Sequence, residues 1–291
     1  MNWRARRKGA VVSWQKIDHH YGVGGVLASI LHTLSGMGKD LNQLRPEDLA
    51  PVDEFHVRGR EATVELADLA SPKPGSRVLD IGCGLGGSVR YLAEERQCQA
   101  TGLDLTREYV EAARALAERV GLSAKTQFIH GSALEIPFAG GSFDVVWTEH
   151  TQMNIADKNT CHSEIARVLK PGGRFVFHDI LQGEGGEPCY PLPWANERSI
   201  SFLGTAESVQ RFLREARFSI LSWADKSLQS LEWFAAMTEK AGRSGPPPLG
   251  LHLLMGEKAK LKSQNLIRNL REKRILIIQA MAEKSPALVG G

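Results

Sequence analysis

Short β-branched or apolar runs alternate with longer helical stretches through the middle of the chain. Residues 77–82, 99–104, 126–130, 143–148 and 173–180 predict strands, and residues 87–96, 107–120 and 157–169 predict helices. Strands alternating with helices imply right-handed βαβ crossovers and a parallel sheet. Upstream, residues 22–38 read as a helix interrupted by glycines. Residues 46–70 open on Pro46-Glu47 and continue as an apolar-periodic helix until Pro72 and Pro74 stop it. Downstream, the Gly/Pro-rich stretch 183–193 is too irregular for a helix; a helix at 205–216, a strand at 217–224 and a helix at 227–241 follow. Gly245-Pro246-Pro247-Pro248 is a hard break. A basic helix is predicted over 251–273, with Leu266 and Leu270 one turn apart, the pattern of a packing helix with a solvated face. Ile275-Leu276-Ile277-Ile278-Gln279-Ala280-Met281 predicts a strand, with a continued amphipathic helix as the competing assignment.

Composition narrows the class without changing this outline. The 291 residues are 42% hydrophobic and 24% charged, which argues against a disordered chain and allows a core without disulfide or metal staples. The net charge of +3 gives no reason to expect nucleic acid as a partner. It is a cancellation: residues 1–10 carry four basic residues and no acid, residues 257–291 carry eight basic and three acidic residues, and the body between them is acidic. The four cysteines form no C-x-x-C pair and no zinc-like cluster with histidine, which points to a reducing compartment. No run is long enough to span a membrane, and the apolar stretch after the basic start is too short for a secretory signal. A cytoplasmic location is therefore expected, with no metal and with a homodimer left open.

The chemistry gathers at Val78-Leu-Asp-Ile-Gly-Cys-Gly-Leu-Gly-Gly87, where an apolar run leads into a glycine loop and a helical pattern leaves it. This is the first strand-to-helix turn of a doubly wound sheet, where ligands bind beyond the strand ends. Gly82, Gly84 and Gly87 satisfy a dinucleotide-type G-x-G-x-x-G; Gly82, Gly84 and Gly86 equally satisfy G-x-G-x-G. The surrounding charge separates the two. Asp80 precedes the loop, and a carboxylate there would repel a diphosphate but attract an ammonium group. Asp104 closes the next strand, a place where an acid accepts hydrogen bonds from ribose hydroxyls. Together they fit S-adenosylmethionine better than NAD, although an NAD-dependent oxidoreductase shares the glycine spacing.

Val78–Gly86, Asp104, Gly131-Ser132-Ala133, Ser142-Phe143-Asp144 and Leu169-Lys170-Pro171-Gly172-Gly173 fall in an order that resembles the motif set of class I S-adenosylmethionine-dependent methyltransferases. The resemblance implies an α/β, Rossmann-like, seven-stranded and mostly parallel sheet whose last strand, 275–281, is antiparallel and inserted between the fifth and sixth. Tyr21-Gly22 and Leu44–His56 followed by Gly59-Arg60 resemble the helical N-terminal lid of sarcosine/dimethylglycine N-methyltransferases. On this footing residues 1–71 form a lid. Residues 72–291 form the methyltransferase domain, with insertions at 182–204 and 226–273, the latter helical and placed before the last strand. Two departures stand out. Trp147-Thr-Glu-His-Thr-Gln-Met-Asn154 replaces the family's Trp-Ser-Gln-Asp-Ala-Phe-Leu-His, and Ser132 stands where the motif usually has Asp.

The resemblance implies cofactor-binding roles for Asp80, Gly82, Gly84, Gly86, Asp104, Ser132, Ala133 and Glu149, with Leu105 against adenine. Cys83 belongs to the same loop, as a small residue filling a tight turn rather than a reactive thiol. His150 and His56 are the candidate bases, with a structural histidine as the alternative for His150. Tyr21, Phe55, Arg60, Asn154 and Trp194 are the candidate substrate residues, with Arg60 suited to pairing with a carboxylate. His19, His20 and Tyr190 are expected in surface, capping or packing roles. The implied activity is methyl transfer to a small molecule, an amine such as a sarcosine-like amino acid. A quinone, phenol or other small acceptor, and a non-catalytic cofactor-binding protein, are the alternatives.

Overall fold

A computed structural model describes residues 15–22, 24–244 and 247–285. Seven strands form one sheet: β1 (Arg77–Ile81), β2 (Gln99–Asp104), β3 (Thr126–His130), β4 (Phe143–Glu149), β5 (Leu169–Gln182), β6 (Phe218–Asp225) and β7 (Ile275–Lys284). Their spatial order is β3-β2-β1-β4-β5-β7-β6. The pairs among β1 to β5 are parallel, and β7 lies antiparallel between β5 and β6. The helical alternative for 275–281 is thereby excluded. A strand with Ile275, Ile277, Ile278, Ala280 and Ala282 all buried needs neighbours on both edges and cover on both faces.

The sheet is covered on both faces, and successive residues of a strand supply opposite sides. Leu79, Val146, Phe175 and Phe177 pack with Ile165 and Leu213 on one face. Val78, Val145, Trp147 and Val176 pack with Leu66, Val89, Leu92 and Ala113 on the other. Helices α5 (Gly87–Glu94), α6 (Arg107–Arg119), α7 (Lys158–Val168) and α8 (Ala206–Glu215) match the predicted positions within two residues.

Three predicted helices are broken where the backbone turns left-handed. The segment 46–70 is two helices, α3 (Pro46–Asp53) and α4 (Gly59–Ala70), because Arg58 and Gly59 have φ of 71° and 49°. The segment 22–38 yields α2 (Val26–Gly36), which begins only after Gly24 and Gly25 at φ 76° and 72°. A preceding helix, α1 over residues 15–21, has no counterpart in the sequence reading. The basic segment 251–273 is α10 (His252–Met255) and α11 (Ala259–Arg271), separated at Gly256 with φ 68°. Helix α9 (Ser227–Ser244) runs three residues beyond its predicted end, and β5 extends the predicted 173–180 in both directions. The basic residues of 1–10, and Gly245 and Pro246 of the predicted break, lie outside the described residues.

Candidate functional site

Parallel strands place their carboxyl ends along one edge, and a cavity of about 700 Å³ opens there. Its polar wall is the motif region. Gly82 takes φ 76°, and its N–H donates to Leu103 O at 2.7 Å, so the chain leaves β1 against the end of β2. A Cβ on Gly82 would collide with the side chain of Thr151, whereas Gly84, at φ 52°, has open space beside it. Asp104 at the end of β2 accepts the Gly84 N–H and the Thr106 N–H, each at 2.8 Å, one on each carboxylate oxygen. The glycine loop is thus tied to the second strand by the carboxylate read as a ribose ligand. That carboxylate retains free lone pairs toward the cavity.

Asp80 is 4% exposed and lines the cavity. Among the described residues it accepts no hydrogen bond and has no ion-pair partner. Burial, then the charges of Glu149 and Asp104, push its carboxyl well above the usual range. An arriving cation would reverse that penalty.

Glu149 ends β4 inside a network. It accepts Ser88 Oγ at 2.6 Å and Trp147 Nε1 at 2.9 Å, and it lies 3.4 Å from His56 Nε2. The same His56 nitrogen lies 3.0 Å from Glu54 Oε2, which also accepts Thr63 Oγ1. Burial disfavours an imidazolium at this place, but the carboxylates of Glu149 and Glu54 outweigh it and raise His56 to about 9. At neutral pH His56 is therefore a cation shared by two carboxylates. This corrects its expected role as a base, since a protonated ring has no lone pair to offer.

His150 follows Glu149 with φ 46°, and this left-handed turn puts its ring in the cavity wall. The ring stacks on His178 at 5.3 Å and lies edge-on to His56 at 6.1 Å. Burial first, then the charges of His178 and His56, lower its pKa well below the ordinary value, so it is neutral.

The remaining sequence candidates divide. Cys83, Leu105, Ser132, Ala133, Tyr21, Phe55, Asn154 and Trp194 all line the cavity. The Cys83 thiol is pushed well up by burial, in keeping with its packing role. Ser132 Oγ accepts the Leu134 N–H at 3.1 Å and so shapes its own turn. Asn154 is not a free substrate ligand: Oδ1 accepts Tyr21 Oη at 2.9 Å, and Nδ2 donates to Trp194 O and Ile200 O. Trp194 is 1% exposed and its Nε1 donates to Ser201 Oγ, so it packs behind the cavity wall. Two candidates lie elsewhere. Gly86 caps α5 at φ 82°, and a Cβ there would meet the Phe128 ring at 2.5 Å, so it serves helix packing. Arg60 lies 2.9 Å from Glu54 and stacks on Tyr91 outside the cavity, so it cannot hold a substrate carboxylate. His20 bonds the Pro193 carbonyl at 2.9 Å.

The sequence reading missed Glu54, Ser88 and the far wall. Glu54 stands two residues from His56, which was the available signal. The far wall is apolar and comes mainly from α9 to α11: Trp233, Phe234, Leu251, Leu254 and Leu266. No motif marks it. Among the described residues no His/Cys/Asp/Glu group is arranged to hold a metal, and no helix is long and apolar enough to cross a membrane.

Residues 79–177 match the methyltransferase domain family. An O-methyltransferase of Penicillium expansum is 31% identical over 182 residues, covering 62% of this chain and 65% of that protein. Sarcosine/dimethylglycine N-methyltransferase of Halorhodospira halochloris is 29% identical over 193 residues, covering 66% and 68%. The chain thus spans about two thirds of the length of these relatives. Among solved structures, geranyl diphosphate C-methyltransferase from Streptomyces coelicolor A3(2) superposes with a TM-score of 0.69 at 18% identity, covering 94% of this chain and 98% of that one. The fold is the Rossmann-like fold of class I methyltransferases.

Proposed function

With residues 79–177 a methyltransferase domain, we propose that this chain transfers a methyl group from S-adenosylmethionine to a small-molecule nucleophile. The observation that carries this is Asp80, a buried carboxylate without a partner among the described residues that faces the cavity beside the glycine loop. It suits the ammonium of the cofactor's amino-acid part and opposes a diphosphate. Asp104 would take the ribose hydroxyls, the backbone at Gly84 allows close approach, and Leu105, Ser132 and Ala133 would flank adenine. Bound there, S-adenosylmethionine supplies an electrophilic methyl group on a sulfonium.

The chain's own task is then alignment, exclusion of water and removal of one proton. His150 is the proposed base, because it is neutral and lies in the cavity wall. His56 acts as a positioning cation that keeps Glu149 and Glu54 in place. The described part of residues 1–71 is proposed as the lid over the described part of residues 72–291, supported by Tyr21, Phe55 and His56 in the cavity wall; residues 1–14 lie outside the described residues. The four free cysteines support a reducing, cytoplasmic setting. The sarcosine-like acceptor inferred from the lid motif loses support, since its expected partner Arg60 is engaged elsewhere.

Calorimetric titration with S-adenosylmethionine and with NAD, followed by an acceptor screen for S-adenosylhomocysteine, tests this reading. Saturable binding of the first alone, with turnover, is expected. Absence of that binding refutes the proposal, and binding without turnover on any acceptor favours a non-catalytic cofactor-binding protein.

A further inference from the structure

We infer that the acceptor is a neutral, ring-bearing phenol, and that α9 and α10 select it through Trp233, Phe234 and Leu254. This rests on the methyltransferase reading above and concerns the other half of the same cavity.

The charges that face the cavity are one-sided. Asp53, Asp80, Asp104, Glu149 and Asp157 line it, while among the described residues no lysine or arginine does. Asp53 is paired with Arg90 behind the wall. The one cation in the lining, His56, is already shared between Glu54 and Glu149. The lysines of the basic C-terminal segment do not contribute: Lys262 turns its Nζ to Met255 O at 3.2 Å. With Asp80 and Asp104 taken by the cofactor and Asp53 by Arg90, a carboxylate or phosphate on the acceptor would be stripped of water beside Glu149 and Asp157 with no lysine or arginine to pair with, a costly arrangement.

The surface that is offered instead is apolar and aromatic. Trp194 is buried behind the cavity wall with its indole N–H satisfied by Ser201, so it backs the surface rather than forming it. Trp233 and Phe234 lie edge to face at 5.2 Å, both half-buried; Leu266 packs in the same cluster as Phe234, and the buried Leu254 lines the same cavity. Rings stacked or edge-on against such side chains bind more tightly than area alone predicts.

The nucleophile follows from the same charges. An alkylammonium has no lone pair until it loses a proton, and Glu149 and Asp157, the lining acids the cofactor and Arg90 leave over, would favour its charged form. A phenol keeps lone pairs on oxygen while still protonated, and neutral His150 can take the proton as the oxygen reacts.

The test uses the full chain saturated with S-adenosylhomocysteine and three pairs of probes. These are one-, two- and three-ring phenols, each beside its ring-carboxylated counterpart, with binding read by tryptophan fluorescence and calorimetry. The neutral member of each pair should bind at least about tenfold tighter. Trp233→Ala and Phe234→Ala should each weaken the neutral phenols by about tenfold or more while leaving S-adenosylhomocysteine affinity within about twofold. Carboxylated probes that bind as well as the neutral ones, neutral phenols that do not bind at all, or variants that leave phenol affinity unchanged would each overturn the inference. Loss of S-adenosylhomocysteine binding by the unaltered chain would instead overturn the methyltransferase reading, so the two failures are distinct.

Discussion

Replacing His56 by glutamine tests the buried charge network directly. Glutamine keeps a hydrogen-bond donor and roughly the volume, so what is lost is the positive charge between Glu54 and Glu149. The histidine is raised from 6.5 to about 9, and each pH unit corresponds to about 1.4 kcal/mol, so the charge contributes about 3 kcal/mol near neutrality. That agrees in size with the cost of about 3–5 kcal/mol for removing one partner of a buried ion pair. The sign follows from linkage. A group whose folded pKa is raised stabilises fully below its unfolded value of 6.5, and this contribution is lost as pH rises through about 9. In His56→Gln the orphaned carboxylates have raised folded pKa values. The variant therefore recovers stability as pH falls toward their ordinary range, where they take up protons. The difference between the two proteins, read by urea denaturation from pH 5 to 10, should peak near neutrality and shrink on both sides. A difference that is constant across this range would show that the interaction is not ionic and would refute the argument.

Asp80→Asn should weaken S-adenosylmethionine by about 1.5 kcal/mol or more in calorimetry, because a charge-assisted contact becomes a neutral one; unchanged affinity would remove Asp80 as the ammonium ligand. Asp104→Ala should both weaken the cofactor and destabilise the fold by about 1 kcal/mol or more, since the Gly84 and Thr106 N–H groups lose their acceptor. Gly86→Ala should damage the fold, because the added methyl meets the Phe128 ring, whereas Gly84→Ala should cost only about 1–2 kcal/mol of backbone strain and act mainly on cofactor affinity; thermal melts and titrations of the two variants separate these outcomes. His150→Ala should lower turnover by about 100-fold with cofactor binding retained. Because the pKa of His150 is depressed, the unaltered enzyme should show no acidic limb in its rate between pH 6.5 and 8, and a limb near 6.5–7 would point to another base.

The departures from the sequence reading share a physical origin. Asp80, Gly82, Asp104 and Glu149 were legible because each sits at or just beyond a strand end, and a parallel sheet carries all such ends to one edge. Gly86 looked equivalent to Gly84 in the motif, yet one faces Phe128 and the other faces open space, a difference set by β3 rather than by the loop. Arg60 has a long side chain whose destination depends on which partner the fold brings near, and Glu54 and Tyr91 claim it. His56 and His150 carry the same titratable ring. Two carboxylates outweigh burial and make the first a cation, while burial, reinforced by two neighbouring histidines, leaves the second neutral.

Local pattern determined the alternation of strands and helices and the two carboxylates, Asp80 and Asp104, at strand ends; the place of the last strand came from the resemblance to class I methyltransferases. The first two depend on residue spacing and on strand ends, which are properties of contiguous chain. Tertiary structure decided the charge state of each histidine, the engagement of Asn154 and Arg60, and the apolar far wall from α9 to α11. Each of these depends on contacts between segments far apart in sequence, where burial and neighbouring charge rather than residue type set the chemistry.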